Sequence, residues 1–527
     1  MSPATSRASG ILLHITSLPD TEPISPECLL DLNHPGSGDF GPSAYHFIDW
    51  LEHTEQHLWQ ILPLVPAGSG YSPYMSPAGM AFHPLLVDLR GLASQGWLPA
   101  DFREDPSVDG PPGSPPPGGR IDFPRVERFR LRALQQAART FLGNPGEPLR
   151  PEFDDFCLRE RAWLDDYALF MLLDRLHAHK PWQKWPADLA HRKPAALDRI
   201  RHDYHDDYLF WCFVQWVAEK QWQAIRTYAN ARNIRLIGDV PIFVALHSAD
   251  TWANPQLFEL DADLWPVRIA GVPPDYFSQD GQRWGNPLYR WSSHARQGYA
   301  WWIARIRRSL SCADIVRIDH FRGFAEYWAI PADSPTAREG EWQPGPGKAL
   351  FDALAEALGE LPLIAEDLGV QGDDVRQLLK DTGLPGMAVL QFAFNDNASN
   401  PYLPHNLSRN EVVYTGTHDN DTCLGWFAQA GERERARTQV YLKTDGREIN
   451  WELIHAASQS VAGWAIYPMQ DVLGLGTEGR MNRPGEAEGC WGWRFAWQQL
   501  HEWQTRRLRA ITQVHGRDNP DEQHGES

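Results

Sequence analysis

Eight short apolar runs of strand length recur along the chain, and segments with helical periodicity lie between many of them. The runs span residues 11–15, 59–64, 234–242, 315–319, 361–365, 387–394, 412–415 and 465–475. Helical spacing of apolar residues occurs at 45–55, 209–228, 299–310, 349–358 and 374–380. Continuous apolar strands that alternate with amphipathic helices are typical of a parallel sheet covered by helices. Eight such repeats predict an α/β fold, a (β/α)8 TIM barrel.

The spacing of the eight runs is uneven, and two long gaps predict insertions after strands two and three. We expect a single catalytic barrel over residues 1–527, with insertions at 65–205 and 243–313. Residues 109–119 are rich in Gly and Pro, which is typical of an exposed, mobile loop. The polar residues 516–527 predict a flexible tail. Since such barrels build their sites from loops at one rim, both insertions should shape the site.

Acidic side chains lie at or near the ends of four of the predicted strands. They are Asp239, Asp319, Glu366 and Asp419, at the ends of strands three, four, five and seven. Taken singly, each acid has a structural explanation, either as a helix cap or as half of an ion pair such as Asp319 with Arg317. Because the carboxyl ends of parallel strands meet at one rim, four such acids favour a shared active site. The chain is therefore interpreted as an enzyme.

The acids suggest a particular chemistry. Glycosidic cleavage needs two carboxyl groups that face each other across a bond, one ionised as nucleophile and one held protonated as general acid. An arginine two residues before a nucleophilic aspartate, as Arg317 is to Asp319, keeps that aspartate ionised. A further carboxylate and imidazoles can bind ring hydroxyls and stabilise the developing oxocarbenium charge.

The net charge limits the kinds of ligand that the protein is expected to bind, and the cysteine content bears on its cellular compartment. A formal net charge of -19 repels nucleic acid and anionic membranes, so a neutral or cationic partner is expected, and a neutral polyol would fit. The six cysteines form no C-x-x-C pair, which argues against a zinc site or a disulfide framework. The N-terminus lacks the apolar stretch of a signal peptide, and no run approaches the roughly twenty apolar residues of a membrane span. We predict a cytoplasmic protein that binds neither nucleic acid nor membrane.

Short motifs at the strand ends carry a resemblance to a known family. Arg-Ile-Asp-His at 317–320, Ala-Glu-Asp at 365–367 and Thr-His-Asp-Asn at 417–420 resemble motifs of the α-amylase superfamily, with Gly-Asp-Val-Pro at 238–241 in place of the first. Longer motifs narrow the resemblance to the 4-α-glucanotransferases, or amylomaltases, of glycoside hydrolase family 77. These motifs lie at 10–14, 16–19, 72–74, 271–278, 281–289 and 467–471. The resemblance extends from about residue 10 to residue 495.

The resemblance implies a role for each strand-end residue. Asp319 would be the nucleophile, Glu366 the general acid and then base, and Asp419 the group that binds the donor ring and stabilises the transition state. Asp239 would hold the site together, with a purely structural role as the alternative. The reaction would retain the α-configuration without a metal or organic cofactor, and the carboxyls of Asp319 and Glu366 should lie about 5 to 5.5 Å apart. The implied substrate-binding residues are Tyr74, Ser72, Asp239, Arg317, His320, His418, Tyr276, Phe277, Trp284 and Asn286.

The loop at 275–287 bears on the choice between transfer and hydrolysis. The resemblance implies that it covers the acceptor side, where Tyr276, Phe277 and Trp284 would favour a second sugar over water. The alternative is a lid whose aromatic residues are buried for packing.

The chain departs from the family pattern at two notable positions. His83 stands where an asparagine is usual before the proline, and Cys490 stands where Gly-Asn-Trp is common. A thiol cannot reproduce the two-way hydrogen bonding of an amide, so acceptor binding is the property that these departures put in question.

Three functions fit these observations. The first is transfer of α-1,4-glucan segments between maltooligosaccharides or to glucose, the second is hydrolysis of the same bonds, and the third is glucan binding without catalysis. The presence of Asp319, Glu366 and Asp419 together argues against the third, because binding alone needs no nucleophile and acid pair. A dinucleotide site at the glycine-rich residues 474–479 is disfavoured, since no apolar-periodic helix follows them. The sequence leaves the oligomeric state open.

Overall fold

A barrel of eight parallel strands forms the centre of the molecule. The structure is a computed structural model that describes residues 6–19, 36–99, 101–105, 107–109, 119–274, 279–369, 372–486 and 488–518. Within these ranges the strands are β1 Ala8–Leu12, β2 Leu58–Gln60, β3 Arg235–Pro241, β4 Arg268–Val272, β5 Gln282–Pro287, β6 Ile315–Asp319, β7 Glu326–Pro331, β8 Glu341–Pro344, β9 Leu363–Ala365, β10 Gly386–Val389, β11 Glu411–Tyr414 and β12 Trp464–Pro468.

The barrel strands follow the order β10-β11-β12-β1-β2-β3-β6-β9, and every neighbouring pair is parallel. The remaining gap is bridged where the Ala365 N–H donates to the carbonyl of Pro385 at 2.9 Å, so β9 meets β10. Nearly all strand residues are buried, which explains their continuous apolar runs. The predicted (β/α)8 fold is confirmed.

Helices surround the barrel and fill the insertions. They are α1 Pro42–His53, α2 Leu89–Ser94, α3 Phe123–Leu142, α4 Arg150–Arg159, α5 Arg161–Leu176, α6 Ala187–Ala190, α7 Pro194–Asp203, α8 His205–Asn230, α9 Ala249–Ala253, α10 Trp291–Arg296, α11 Ala300–Cys312, α12 Lys348–Leu358, α13 Asp373–Thr382, α14 Cys423–Gln429, α15 Glu432–Leu442, α16 Ile449–Gln459, α17 Met469–Leu473 and α18 Glu502–Val514. All five segments with predicted helical periodicity fall within α1, α8, α11, α12 and α13, allowing one or two residues at their ends.

Several predicted strands extend past the observed ones, most of all the runs at 465–475 and 387–394. The run at 465–475 leaves the sheet after Pro468 and turns into α17, and the run at 387–394 becomes a 3-10 turn after Val389. Both continuations are buried, so their apolar character reflects burial and carries no information on secondary structure.

The two predicted insertions contain different kinds of structure. Residues 65–205 hold α2 to α7, of which α3, α4, α5 and α7 pack against α8. Residues 243–313 hold α9, β4, β5, α10 and the barrel helix α11. An antiparallel sheet in the order β5-β4-β7-β8 joins the second insertion to residues 326–344, which form a further insertion after β6. The sequence analysis missed this third insertion, because β8 is mostly exposed and lacks an apolar run.

The start of the predicted flexible tail is anchored, not frayed. Arg517 is fully buried, and its guanidinium donates to the carbonyls of Ala8, Ser458 and Gly463 at 2.7 to 2.9 Å. An arginine that satisfies several buried carbonyls fixes the chain end against β1. Residues 519–527, and nearly all of the predicted mobile loop at 109–119, lie outside the described residues.

Across the described parts of the chain, no helix is long and apolar enough to cross a membrane.

Candidate active site

The strand-end residues converge at the carboxyl end of the barrel. Neighbouring strands β3 and β6 pair in register, so that Asp239 lies beside Arg317 and Pro241 beside Asp319. The next strand, β9, pairs Ala365 with Ile318, which brings Glu366 alongside Asp319. Parallel pairing therefore assembles at one rim groups that the sequence separates by many residues.

Arg317 connects two of the carboxylates. Its Nη1 donates to both carboxylate oxygens of Asp239 at 2.9 and 2.7 Å, and its Nη2 donates to Oδ1 of Asp319 at 2.9 Å. Burial alone would lower the pKa of Arg317, but the flanking carboxylates raise it well above its ordinary value, so the guanidinium stays charged. Asp239 is buried, whereas the Asp319 side chain remains 27% exposed and reachable from the cleft.

Glu366 is held by backbone N–H groups. Its Oε2 accepts from the N–H of His320 at 2.8 Å, and its Oε1 accepts from the N–H of Leu368 at 3.0 Å. Burial raises the pKa of Glu366, Arg317 opposes this effect and the charge of Asp319 adds to it, with a resulting pKa of about 7. Two adjacent carboxyl groups therefore have different environments, one paired with arginine and one inclined to keep its proton.

His320 adopts a left-handed backbone conformation, with φ 53° and ψ 49°. This is uncommon for a residue other than glycine. It accompanies a turn in which the N–H of His320 meets the Glu366 side chain and the N–H of Phe321 meets the Glu366 carbonyl at 2.9 Å. This turn thus holds Glu366, the residue that directly follows β9.

The imidazole of His320 is available for a ligand. Burial lowers its pKa to about 4, so the ring is neutral at physiological pH. Its Nε2 is buried, and none of the described residues forms a hydrogen bond with it. The ring lies edge-on to Trp284, with centroids 4.9 Å apart. A buried nitrogen without a partner next to an aromatic face is suited to a substrate hydroxyl.

Asp419 lies on the other side of the site. Its Oδ1 accepts from the amide of Asn482 at 2.6 Å, and the Nε2 of His418 is 3.5 Å from the same oxygen. The imidazole of His418 stacks on the ring of Tyr74, with centroids 5.2 Å apart and planes inclined by 14°. The Tyr74 hydroxyl in turn donates to Oδ2 of Asp239 at 2.7 Å. A chain of contacts therefore links Asp419 with Asp239, Arg317 and Asp319.

The other predicted binding residues differ in their surroundings. The Oγ of Ser72 accepts from the N–H of Tyr74 at 3.2 Å and so caps the turn that carries this tyrosine. The amide of Asn286 is buried and donates to the Val244 carbonyl at 2.9 Å, which ties β5 to the loop after β3. Tyr276 and Phe277 lie outside the described residues.

Sequence analysis missed Asn482, Arg480 and Trp491. Arg480 donates to the carbonyls of Asp419 and Asn482, both at 2.7 Å, and the Trp491 ring lies 5.6 Å from Tyr74 and 5.9 Å from His418. All three follow the eighth barrel strand, whose following loop must reach the same rim. Their position after this strand was the available signal, but none of the three is an acid that directly follows an apolar run.

The two unusual residues serve local structure. The Nδ1 of His83 accepts from the N–H of Leu85 at 3.5 Å, a capping role that an asparagine could also fill. The Sγ of Cys490 accepts from the N–H of Arg483 at 3.3 Å, within the segment that bears Asn482. Cys490 is thus a buried loop residue close to the Asp419 side of the site.

No group of three or more His, Cys, Asp or Glu side chains in the described ranges is arranged to hold a metal ion.

Comparisons with known proteins show the family of the chain. The family model for 4-α-glucanotransferase of glycoside hydrolase family 77 matches residues 24–500. A 4-α-glucanotransferase from Synechocystis is 45% identical over 97% of this chain and 98% of its own, and one from Thermus thermophilus is 45% identical over 96% and 98%. The structure of an amylomaltase from Streptococcus agalactiae in complex with acarbose superposes with a TM-score of 0.88, at 37% identity over 97% of this chain and 99% of that chain. The chain belongs to glycoside hydrolase family 77, the family of the 4-α-glucanotransferases.

Proposed function

We propose that this protein transfers α-1,4-linked glucan segments from one maltooligosaccharide to another, or to glucose, by a retaining double displacement. The observation that carries the proposal is the contrast between two neighbouring carboxyl groups. Asp319 is paired with the buried guanidinium of Arg317, whereas Glu366 is held by backbone N–H groups and has a pKa of about 7. An ionised nucleophile beside a protonated acid is the pair that cleavage with retention requires.

In the first step, the carboxylate of Asp319 attacks the anomeric carbon of the donor sugar. Glu366 gives its proton to the glycosidic oxygen, and the chain on the reducing side leaves as an alcohol. A β-glucosyl ester on Asp319 and an ionised Glu366 result.

In the second step, Glu366 acts as the base. It takes the proton from the 4-hydroxyl of an acceptor sugar, whose oxygen attacks the anomeric carbon and displaces Asp319. The second inversion restores the α-linkage, and Glu366 regains its proton for the next cycle. The separation of about 5 to 5.5 Å between the two carboxyls remains a prediction of this mechanism.

The surrounding groups bind the donor ring. Asp419 accepts hydrogen bonds from ring hydroxyls and stabilises the positive charge that develops in the transition state. The neutral imidazole of His320 and the ring of His418 face hydroxyls, and Tyr74 presents its ring to the sugar. Arg317 donates a charge-assisted hydrogen bond to Asp319, while Asp239 fixes Arg317 and Tyr74 in place.

The acceptor side decides between transfer and hydrolysis. Trp284 borders the site against His320 and can offer an apolar wall to a second sugar. We assign the same task to Tyr276 and Phe277 on the loop at 275–287. The binding of acarbose, a saccharide analogue, by the Streptococcus agalactiae amylomaltase supports a glucan ligand for this cleft. The reaction needs no metal or organic cofactor, because both reacting groups are side chains.

Incubation with maltotriose tests the proposal. A transferase yields glucose and longer oligomers while the number of reducing ends stays constant. Reducing ends that increase one for one with bonds broken would instead establish the hydrolase alternative. A protein that binds maltotriose without changing it would establish the binding-protein alternative. The cytoplasmic location predicted from the sequence remains a prediction.

A further inference from the structure

The carboxylate of Asp419 depends on a neighbour outside the strand-end motifs. Its side chain is 43% exposed and follows β11 in a loop, so the barrel itself does not fix its orientation. Its one short side-chain contact within the described part of the chain is the 2.6 Å hydrogen bond that Oδ1 accepts from the amide of Asn482. We infer that Asn482 is a positioning residue that orients the Asp419 carboxylate toward the donor sugar. This inference rests on the proposed function of Asp419.

Asn482 and Asp419 are joined by more than this one bond. The backbone N–H of Asn482 donates to the His418 carbonyl at 3.1 Å. The guanidinium of Arg480 donates to the carbonyls of both Asp419 and Asn482 at 2.7 Å. The backbones are therefore locked together independently of the Asn482 side chain. Loss of that side chain should release the carboxylate while leaving the loop in place.

The residues around Asn482, at 480–486 and 488–491, are themselves anchored from outside the site. Arg120, between the first insertion loop and α3, donates to the carbonyls of Gly489 at 2.9 Å and of Arg480 at 3.1 Å. The N–H of Trp491 donates to the Met481 carbonyl at 2.8 Å, which closes the segment on itself. The first insertion thus stabilises the segment that delivers Asn482.

An amide is chemically suited to this task. It donates a hydrogen bond to a carboxylate without adding a positive charge that would offset the carboxylate's own charge. A lysine or arginine in the same place would cancel part of that charge. A second carboxylate would repel it and promote protonation.

Two substitutions separate positioning from a purely structural role. Asn482→Ala removes the donor, and we expect kcat for maltotriose cleavage to fall roughly 10- to 100-fold, with KM changed less than about threefold. Asn482→Asp keeps the shape but replaces the donor by a carboxyl group. At pH 8 we expect it to be less active than Asn482→Ala, because two carboxylates repel each other.

Lower pH provides an internal rescue for Asn482→Asp. When the two carboxyl groups share a proton, the introduced carboxyl can again donate a hydrogen bond to Asp419. The ratio of Asn482→Asp activity to wild-type activity should therefore rise at least tenfold between pH 8 and pH 5. The Asn482→Ala ratio should stay constant over the same range. Asn410→Asp is the matched control, since the Asn410 amide donates to the Gly383 carbonyl at 3.1 Å away from the site, and its ratio should stay near one.

The outcomes are distinct. If Asn482→Ala keeps kcat within twofold of wild type, the inference is wrong. It is equally wrong if the Asn482→Asp ratio does not change with pH, because a loss that is only structural follows the melting temperature and not the shared proton. All rates are counted as glycosidic bonds broken, so a wild-type enzyme that hydrolyses instead of transferring would overturn the proposed function while leaving the Asn482 comparison intact.

Discussion

Replacement of Glu366 by Gln offers the most quantitative test of the electrostatic argument. The pKa of Glu366 rises from its ordinary 4.5 to about 7 in the folded protein, chiefly through burial. The unfolded chain therefore releases this proton at lower pH than the folded protein does. Folding loses stability as pH rises from 4.5 to 7, and the interval corresponds to roughly 3 kcal/mol. Glutamine cannot ionise, so Glu366→Gln should escape this loss.

The expected signal is a pH-dependent difference in melting temperature. For a chain of 527 residues, roughly 3 kcal/mol corresponds to about 3 °C. Glutamine has one acceptor oxygen for the two N–H groups of His320 and Leu368, which adds a destabilisation that is the same at every pH. The informative quantity is therefore the melting temperature of the variant minus that of wild type, taken at pH 8 and again at pH 4.5. We expect this difference to be about 3 °C more positive at pH 8.

Calorimetry at one scan rate measures both differences, and an activity assay on the same samples should find that Glu366→Gln no longer turns over. Glu356→Gln, at an exposed position of α12, is the matched control and should show the same difference at both pH values. A Glu366→Gln difference that varies by less than about 1 °C, or in the opposite direction, would refute the view that the fold holds this carboxyl protonated.

Three further predictions follow from the same site. The kcat/KM of wild type should fall above a pH of about 7, because the first step needs a protonated Glu366; a flat rate to pH 9 would contradict its role as acid. Asp319→Ala should abolish turnover with little change in melting temperature, since Arg317 keeps both hydrogen bonds to Asp239, and activity near wild type would exclude Asp319 as nucleophile. Cys490→Ala should barely change cleavage of the donor, because the hydrogen bonds of its thiol to described residues all lie within its own loop; a large loss would show that the loop depends on that sulfur.

The barrel and its acids could be predicted because they obey local rules. A buried parallel strand has a continuous apolar sequence, and an acid at its carboxyl end must lie at the rim of the barrel. Asp319 ends β6 and Glu366 directly follows β9, so their proximity could be inferred from the sequence.

Features that depend on distant contacts could not be predicted in this way. Asn482 follows a short helix and an irregular segment. Its amide reaches the Asp419 carboxylate only because the chain folds back over this residue. The antiparallel sheet of β4, β5, β7 and β8 joins two insertions whose strands lack a clear alternation of apolar residues. Arg517 lies in a polar stretch typical of a tail, yet its buried guanidinium donates hydrogen bonds to carbonyls of β1 and of the loop after α16.

The two central carboxyls, Asp319 and Glu366, have different surroundings, and this difference bears on their proposed roles. A positive charge lowers the energy of a carboxylate, and Arg317 delivers its charge directly to Asp319 through a hydrogen bond. Glu366 receives only neutral N–H donors and lies in a buried setting, so its ionisation costs more. These N–H donors also stabilise the ionised form of Glu366, because a carboxylate accepts hydrogen bonds from N–H groups more strongly than the protonated acid does. A group that is stable enough in both states, with a pKa near neutrality, is what an alternating acid and base requires. The left-handed backbone of His320 supplies one of the two N–H donors, and it therefore contributes to setting the pKa of Glu366.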